Sequence, residues 1–86
     1  MRVSIRLFAR LRDIAGAPDL QREFTPPATI GTIWRQLVAE YPAMAAYESS
    51  ISAAVNAEYA RMSTGVADGD EVAFLPPVSG GSGVED

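Results

Sequence analysis

The side chains and termini that could do chemistry in this chain lie mostly in an acidic turn and in a tail that contains two glycines. Asp68, Asp70 and Glu71 stand together in the turn, where carboxylate oxygens could bind a cation weakly. The loop is too short to supply six oxygen ligands, so we predict a solvated turn and no metal site. Asp13 and Glu58 stand alone and predict no acid–base pair.

The tail begins after the last apolar segment and reads FLPPVSGGSGVED over residues 74–86. Pro76 and Pro77 cannot continue a central strand, so they direct the chain away from the sheet edge. The tail then runs through Val78, Ser79, Gly80 and Gly81. Two residues without side chains could pass through a narrow channel and deliver a carboxyl group into another protein's active site. The same composition is typical of a flexible Gly/Ser linker, so both interpretations are open at this point.

Composition excludes several classes of function. The 86 residues contain no Cys and no His, which removes disulfides, thiolate zinc sites, iron–sulfur clusters and Ser-His or Cys-His nucleophiles. All seven basic residues are Arg, so no lysine is present to form a Schiff base. The net charge of −4 argues against a nucleic-acid partner. No apolar run approaches the roughly 18 residues of a membrane span, and we expect a cytoplasmic protein without a membrane partner.

The first half of the chain predicts two strands and two helices. Val3, Ile5 and Leu7 alternate with polar residues as in a half-buried strand, which places Phe8 on the side opposite the core. Residues 9–15 predict a short helix that ends at Gly16, and residues 20–25 a second strand. A longer helix, capped by Thr29 and ended by Tyr41-Pro42, carries an apolar stripe of Ile30, Ile33, Trp34, Leu37, Val38 and Tyr41.

The second half predicts strands and turns. Residues 51–55 alternate as a strand, and a tight turn at Asn56-Ala57 returns the chain through Tyr59. The last strand places Val72 and Phe74 on one face and Ala73 and Leu75 on the other. The resulting fold class is an α+β roll in a single domain, with a mixed four- to five-stranded sheet packed on one long helix.

Three apolar or aromatic residues are predicted to project from the sheet face away from that helix. Phe8 and Leu75 follow from the strand alternation, and Tyr59 joins them. A contiguous exposed patch of this kind is typical of a protein partner site. Exposed apolar residues that are merely scattered are also normal in soluble domains, so this alternative is retained.

Two stretches resemble the MoaD/ThiS sulfur-carrier family. Residues 53–81, AAVNAEYARMSTGVADGDEVAFLPPVSGG, are similar to the C-terminal third of the small, sulfur-carrying subunits of molybdopterin synthase in that family. Residues 7–16, LFARLRDIAG, look like the family's first strand and following helix. The resemblance spans nearly the whole chain up to Gly81 and implies a β-grasp, ubiquitin-like fold.

The resemblance also implies a function for the glycine tail. In this family an activating enzyme of the ubiquitin-activating type uses ATP to adenylate the terminal glycine, here Gly81 preceded by Gly80. Sulfur from a cysteine-derived persulfide then gives a thiocarboxylate. The large synthase subunit takes up the tail, and the sulfur passes to cyclic pyranopterin monophosphate in molybdenum cofactor biosynthesis. The chain itself would bind no cofactor and would not be catalytic alone.

The family's contacts with its large subunit fall on named positions of this sequence. The resemblance implies an apolar contact through Phe8, Tyr59 and Leu75, with Arg12 as a polar contact nearby. It also implies that the tail residues before the two glycines lie along the partner's channel. These residues are Pro76, Pro77, Val78 and Ser79. A heterotetramer with two large subunits is the family's usual assembly.

The chain departs from the family at its C-terminal end. Residues 1–81 form the predicted domain, with residues 76–81 as its tail, and residues 82–86 follow as an extension. An amide at Gly81 cannot be adenylated, so the extension is removed by a protease, is an incidental fusion or cloning product, or marks a copy that does not work as a carrier. The alternative functions are a carrier for thiamin, cysteine or tRNA thiolation, and a β-grasp interaction module that is never activated.

Overall fold

The computed structural model describes residues 1–77, and the predictions for Val78, Ser79, Gly80, Gly81 and the extension lie outside the described residues. The elements in chain order are β1 (Arg2–Leu7), α1 (Ala9–Ala15), β2 (Asp19–Glu23), β3 (Ala28–Thr29), α2 (Ile30–Glu40), a 3-10 helix (Pro42–Tyr47), β4 (Ser52–Val55), β5 (Glu58–Ala60), β6 (Gly65–Val66) and β7 (Glu71–Leu75).

A five-stranded mixed sheet in the order β2-β1-β7-β4-β5 forms one layer of the fold. The central pair, β1 and β7, is parallel, with Leu7 opposite Phe74. Every other neighbouring pair in this sheet is antiparallel. The first and last strands of the described chain therefore lie side by side, and their carboxyl ends lie at the same end of the sheet.

Strand alternation separates the two faces of this sheet as predicted. Val3, Ile5 and Leu7 of β1 are buried, and so are Val72 and Phe74 of β7. Together with the buried residues of α2 they form the core, in which the rings of Trp34 and Phe74 are tilted against each other at 5.2 Å. The predicted inward and outward residues of both central strands are confirmed.

Both predicted helices form, each with a recognisable end. Gly16 ends α1 in the left-handed conformation at φ 77°, and its N–H donates to the Arg12 carbonyl at 2.9 Å. Thr29 caps α2, since its hydroxyl accepts from the Thr32 N–H at 3.2 Å while the Thr32 hydroxyl accepts from the Thr29 N–H at 3.1 Å. The last residue of α2 is Glu40, and the helix stops there because Tyr41 precedes a proline, as predicted.

The prediction that the sheet packs on one long helix is not confirmed as it stands. The described residues contain three helices, of which α1 and α2 have seven residues or more. The connector after α2 is a 3-10 helix whose Met44 is fully buried. The sequence prediction also missed a two-stranded ribbon of β3 and β6, in which Ala28 pairs with Val66. Within the described part of the chain, no helix is long and apolar enough to cross a membrane.

One shielded ion pair joins the edge strand β2 to α2. Arg22 faces the helix side of the sheet, and its guanidinium binds both carboxylate oxygens of Glu40, with the shortest distance 2.7 Å from Nη2 to Oε1. The Gln36 amide donates to the same carboxylate at 2.8 Å. Such a two-point pair with low exposure is stronger than an ordinary surface ion pair.

We expect the Glu40→Gln substitution to lower the free energy of unfolding at neutral pH by about 1 kcal/mol. The hydrogen bond from Arg22, and then that from Gln36, hold the pKa of the Glu40 carboxyl below its ordinary value. Because the folded pKa is the lower one, the stabilisation is complete above the unfolded pKa of about 4.3 and is lost as the pH falls through the folded pKa.

Urea unfolding at neutral pH and in acid measures this effect. The cost of Glu40→Gln should shrink toward zero in acid, whereas Glu58→Gln, at an exposed carboxylate on β5, should cost little at either pH. An equal cost of Glu40→Gln at both pH values would contradict the assignment.

Candidate functional site

The candidate site is the outer face, which we define as the sheet face turned away from α2. A single row of residues crosses all five strands on this face, since Arg6 of β1 lies opposite both Asp19 of β2 and Ala73 of β7. Ala73 lies opposite Ala54 of β4, which in turn lies opposite Tyr59 of β5. The row is charged on β2 and β1 and apolar from β7 to β5.

Phe8 and Tyr59 are the large apolar or aromatic side chains that stand exposed within residues 1–77, at 39% and 81% of their full exposure. Leu75 is half-buried. Because Leu7 lies opposite Phe74 in the parallel pair, the same register continued by one residue places Phe8 beside Leu75. The three residues predicted to project from the sheet therefore share the outer face, and their role as partner contacts stays a prediction.

The tail leaves the sheet beside Phe8. Leu75 is the last residue of β7, Pro76 is half-buried and Pro77 is exposed. Neither proline lies in a strand, in agreement with the predicted exit from the sheet. Since β1 and β7 are parallel, the chain leaves β7 at the same end of the sheet at which β1 ends and Phe8 lies.

Arg12 lies on α1, which follows Phe8 directly in the chain. Its side chain is exposed, and its carbonyl belongs to the hydrogen bond that ends the helix at Gly16. The neighbouring Leu11 is fully buried and fixes α1 on the core. Arg12 is thus an exposed residue of the helix that begins directly after Phe8, and its polar contact with a partner stays a prediction.

A charged cluster on the outer face was missed by the sequence reasoning. The Arg6 guanidinium lies 3.3 Å from an Asp19 carboxylate oxygen and 3.9 Å from a Glu71 carboxylate oxygen. It also lies over the Phe8 ring, with Cζ 5.8 Å from the ring centroid. The strand alternation that places Phe8 on the outer face also places Arg6 there, so the position of Arg6 could have been predicted from the sequence.

The acidic turn uses its carboxylates within the fold. Asp68 Oδ1 accepts the Arg2 backbone N–H at 2.7 Å. The Ala67 N–H and then the Asn56 amide, which donate to Asp70 at 2.8 and 3.0 Å, hold the pKa of its carboxyl below the ordinary value. Over residues 1–77 no group of three acidic side chains is arranged to hold a metal ion. The carboxylates of the turn therefore stabilise the end of the sheet opposite the tail by accepting hydrogen bonds.

Comparison with known proteins places this arrangement in a family. The sequence profile of the ThiS family matches residues 5–81. A relative from Arabidopsis thaliana, named a molybdopterin synthase sulfur carrier subunit, is 35% identical over 79 residues, which cover 92% of this chain and 82% of the relative. Small archaeal modifier protein 1 from Haloferax volcanii is 33% identical over 84 residues, 88% of this chain and 97% of that protein.

The fold is shared as well. The crystal structure of SAMP1 from Haloferax volcanii superposes with a TM-score of 0.81 at 31% identity, covering 94% of this chain and all of that one. The predicted β-grasp, ubiquitin-like roll is thereby confirmed, with the additional helices and ribbon described above. Because the profile matches nearly the entire sequence and both relatives exceed 30% identity over most of their length, the chain belongs to the ThiS family.

Proposed function

We propose that this protein is a sulfur carrier and serves as the small subunit of molybdopterin synthase. In this role a thiocarboxylate at Gly81 donates sulfur to cyclic pyranopterin monophosphate during molybdenum cofactor biosynthesis. The observation that carries the proposal is the family match, which extends through Gly80 and Gly81 and includes a relative named for this role. The outer face beside the tail exit supports it, because a partner that binds there would receive the tail directly.

The chemistry requires a free carboxyl group at Gly81. A carboxylate is a poor electrophile, since its leaving group would be oxide, whereas an acyl adenylate offers AMP as a good leaving group. The outer sulfur of a persulfide can displace AMP to give an acyl disulfide. A thiol that then attacks the other sulfur of this disulfide releases the thiocarboxylate and is itself left in a disulfide. The thiocarboxylate sulfur is a nucleophile. We propose that the activating enzyme, a ubiquitin-activating-type adenylyltransferase, binds and uses the ATP. The partner proteins then supply the catalytic side chains.

The carrier's own contribution is recognition and reach. The outer face presents Phe8, Tyr59 and Leu75 near the tail, and Arg12 lies on the helix that begins directly after Phe8. Buried aromatic and aliphatic anchors surrounded by polar groups are typical of strong protein interfaces. We propose the large synthase subunit as the partner, in a heterotetramer with two large subunits, and the cytoplasm as the place of assembly.

The extension Ser82–Asp86 requires a further step. We propose that it is removed after Gly81, by a processing protease if it belongs to the native gene product. Residues 1–81 are then the working carrier, with residues 76–81 as the part that enters the partner's channel.

Two alternatives have specific support. Some relatives are named small archaeal modifier proteins and not molybdopterin synthase subunits, which favours as the first alternative a carrier in another pathway. We propose thiamin, cysteine or tRNA thiolation as that pathway. The residues after Gly81 favour an interaction module with a blocked tail.

Intact mass spectrometry of the protein purified from its native host separates these functions. The proposed function predicts a species that ends at Gly81, part of which carries one sulfur in place of one oxygen. A native species that always retains Val84, Glu85 and Asp86 and never carries the extra sulfur would refute the carrier role. A thiocarboxylate whose sulfur reaches a product other than molybdopterin in extracts would instead favour the other pathways.

A further inference from the structure

We infer that Arg6 is a positioning residue that holds the Phe8 ring in the orientation in which a partner meets it. The inference rests on the proposed function only in treating Phe8 as a partner contact. Arg6 and Phe8 are two residues apart and project from the same side of the sheet. The guanidinium lies over the ring, 5.8 Å from its centroid, within the range of a cation–π contact.

Arg6 is itself paired with carboxylates on two neighbouring strands. Asp19 on β2 binds it through Nε at 3.3 Å, and Glu71 on β7 approaches Nη1 at 3.9 Å. A guanidinium is planar and can stack on an aromatic ring while its edge binds carboxylates. The two exposed ion pairs therefore favour this placement of the side chain along the sheet, which leaves the guanidinium face available to the Phe8 ring.

Phe8 lies outside the regular elements and is partly exposed, so its ring orientation depends on side chains near it. It lies between the last residue of β1 and the first residue of α1, and it is 39% exposed. The next residue, Ala9, has φ 50°, a left-handed conformation that a residue with a side chain seldom adopts. The chain thus turns sharply at Phe8, and Arg6 is the charged group over its ring.

The cluster also defines what kind of partner surface fits here. A lone arginine beside Phe8 would leave an uncompensated charge under any apolar partner. With Asp19 and Glu71 bound to it, the guanidinium is already paired when the face is covered. The surface therefore suits a partner that presents apolar groups to Phe8, Leu75 and Tyr59 and polar groups to the two carboxylates.

The contact can be tested first in the free full-length chain by NMR. We expect the Arg6 side-chain protons to be shifted upfield by the Phe8 ring current and to return toward ordinary values in Phe8→Leu. Arg2 is a matched control, since it is an exposed arginine on the same strand, paired with Glu23 at 3.2 Å. Its proton shifts should not change. Arg6 shifts that are ordinary in the native chain, or unchanged by Phe8→Leu, would overturn the inference.

A double-mutant cycle tests the consequence for binding to the large subunit of molybdopterin synthase from the same organism. We expect Arg6→Gln to weaken binding about two- to fivefold in the native background and to have little effect in the Phe8→Leu background. Arg6→Lys should recover part of the loss, because an ammonium also attracts the ring face. Arg2→Gln should leave the affinity unchanged.

The outcomes separate this inference from the proposed function. Equal effects of Arg6→Gln in both backgrounds would show that Arg6 does not act through Phe8. If the native chain does not bind the large subunit at all, the proposed partner is wrong, and the ring-current measurement alone then decides whether Arg6 positions Phe8.

Discussion

A chain that ends at Gly81 is expected to become a thiocarboxylate when it is incubated with the activating enzyme, ATP, a persulfide sulfur donor and a thiol reductant. The chain that continues through Asp86 is expected to stay unchanged, because Gly81 is then an internal amide without a free carboxylate to adenylate. The expected difference is all or none. Intact mass spectrometry and pyrophosphate release measure the two steps, sulfur incorporation and adenylation, separately.

A chain that ends at Ser82 is the matched control for this experiment. It has a free carboxyl group only one residue further on, but a side chain stands at the end of the tail. We expect it to react far more slowly than the chain that ends at Gly81, since a narrow channel that admits glycine obstructs a larger residue. Sulfur incorporation into the uncleaved chain, at the rate of the shortened one, would contradict the proposed role of Gly81.

The second large effect is expected at the outer face. Changing Phe8 or Leu75 to Asp should weaken binding to the large synthase subunit by about 2 kcal/mol or more for each substitution. A carboxylate at either position would lose its water under the partner, and at position 8 the neighbouring Arg6 is already paired with Asp19 and Glu71. Titration calorimetry with the chain that ends at Gly81 gives both affinities.

Ala43→Asp controls for the added charge. Ala43 is exposed on the 3-10 helix, which follows α2 on the other side of the fold from the outer face. We expect Ala43→Asp to bind normally, and thermal unfolding should show that all three variants remain folded. Native affinity of both Phe8→Asp and Leu75→Asp would mean that the partner binds elsewhere.

The fold could be predicted from sequence wherever a segment was long enough to show its period. The alternation of Val3, Ile5 and Leu7 predicts β1, and the stripe on residues 30–41 predicts α2 with its Thr29 cap. Asn56-Ala57 predicts the hairpin turn, and both residues have the positive φ that such a turn needs.

The elements that were missed are the shortest ones. β3 and β6 have two residues each, which is too few to show an alternation. Their position depends on tertiary hydrogen bonds, among them the bond from the Ile30 N–H to the Thr64 carbonyl at 3.0 Å. The 3-10 helix lies where the sequence predicted a connector with at most one helical turn, because its alanines around one buried Met44 show no clear apolar face.

The candidate site was predictable in part for a related reason. The outward direction of Phe8 and Leu75 follows from the phase of two strands, each of which can be found separately. The ion pairs of Arg6 require β2, β1 and β7 to be neighbours in a known register, and no single segment contains that information. The resemblance to a known family supplied the function of the tail, which composition alone left open between a reactive arm and a linker.

The position of β7 inside the sheet determines how the carrier bears mechanical load. β7 is bonded along one edge to β1 and along the other to β4. When a partner grips the tail and pulls along the strand axis, both ladders are loaded in shear, so many hydrogen bonds must break together rather than one after another. An edge strand would be held by a single ladder. The proposed entry of the tail into a partner's channel, and its withdrawal, would therefore not unravel the domain that carries it.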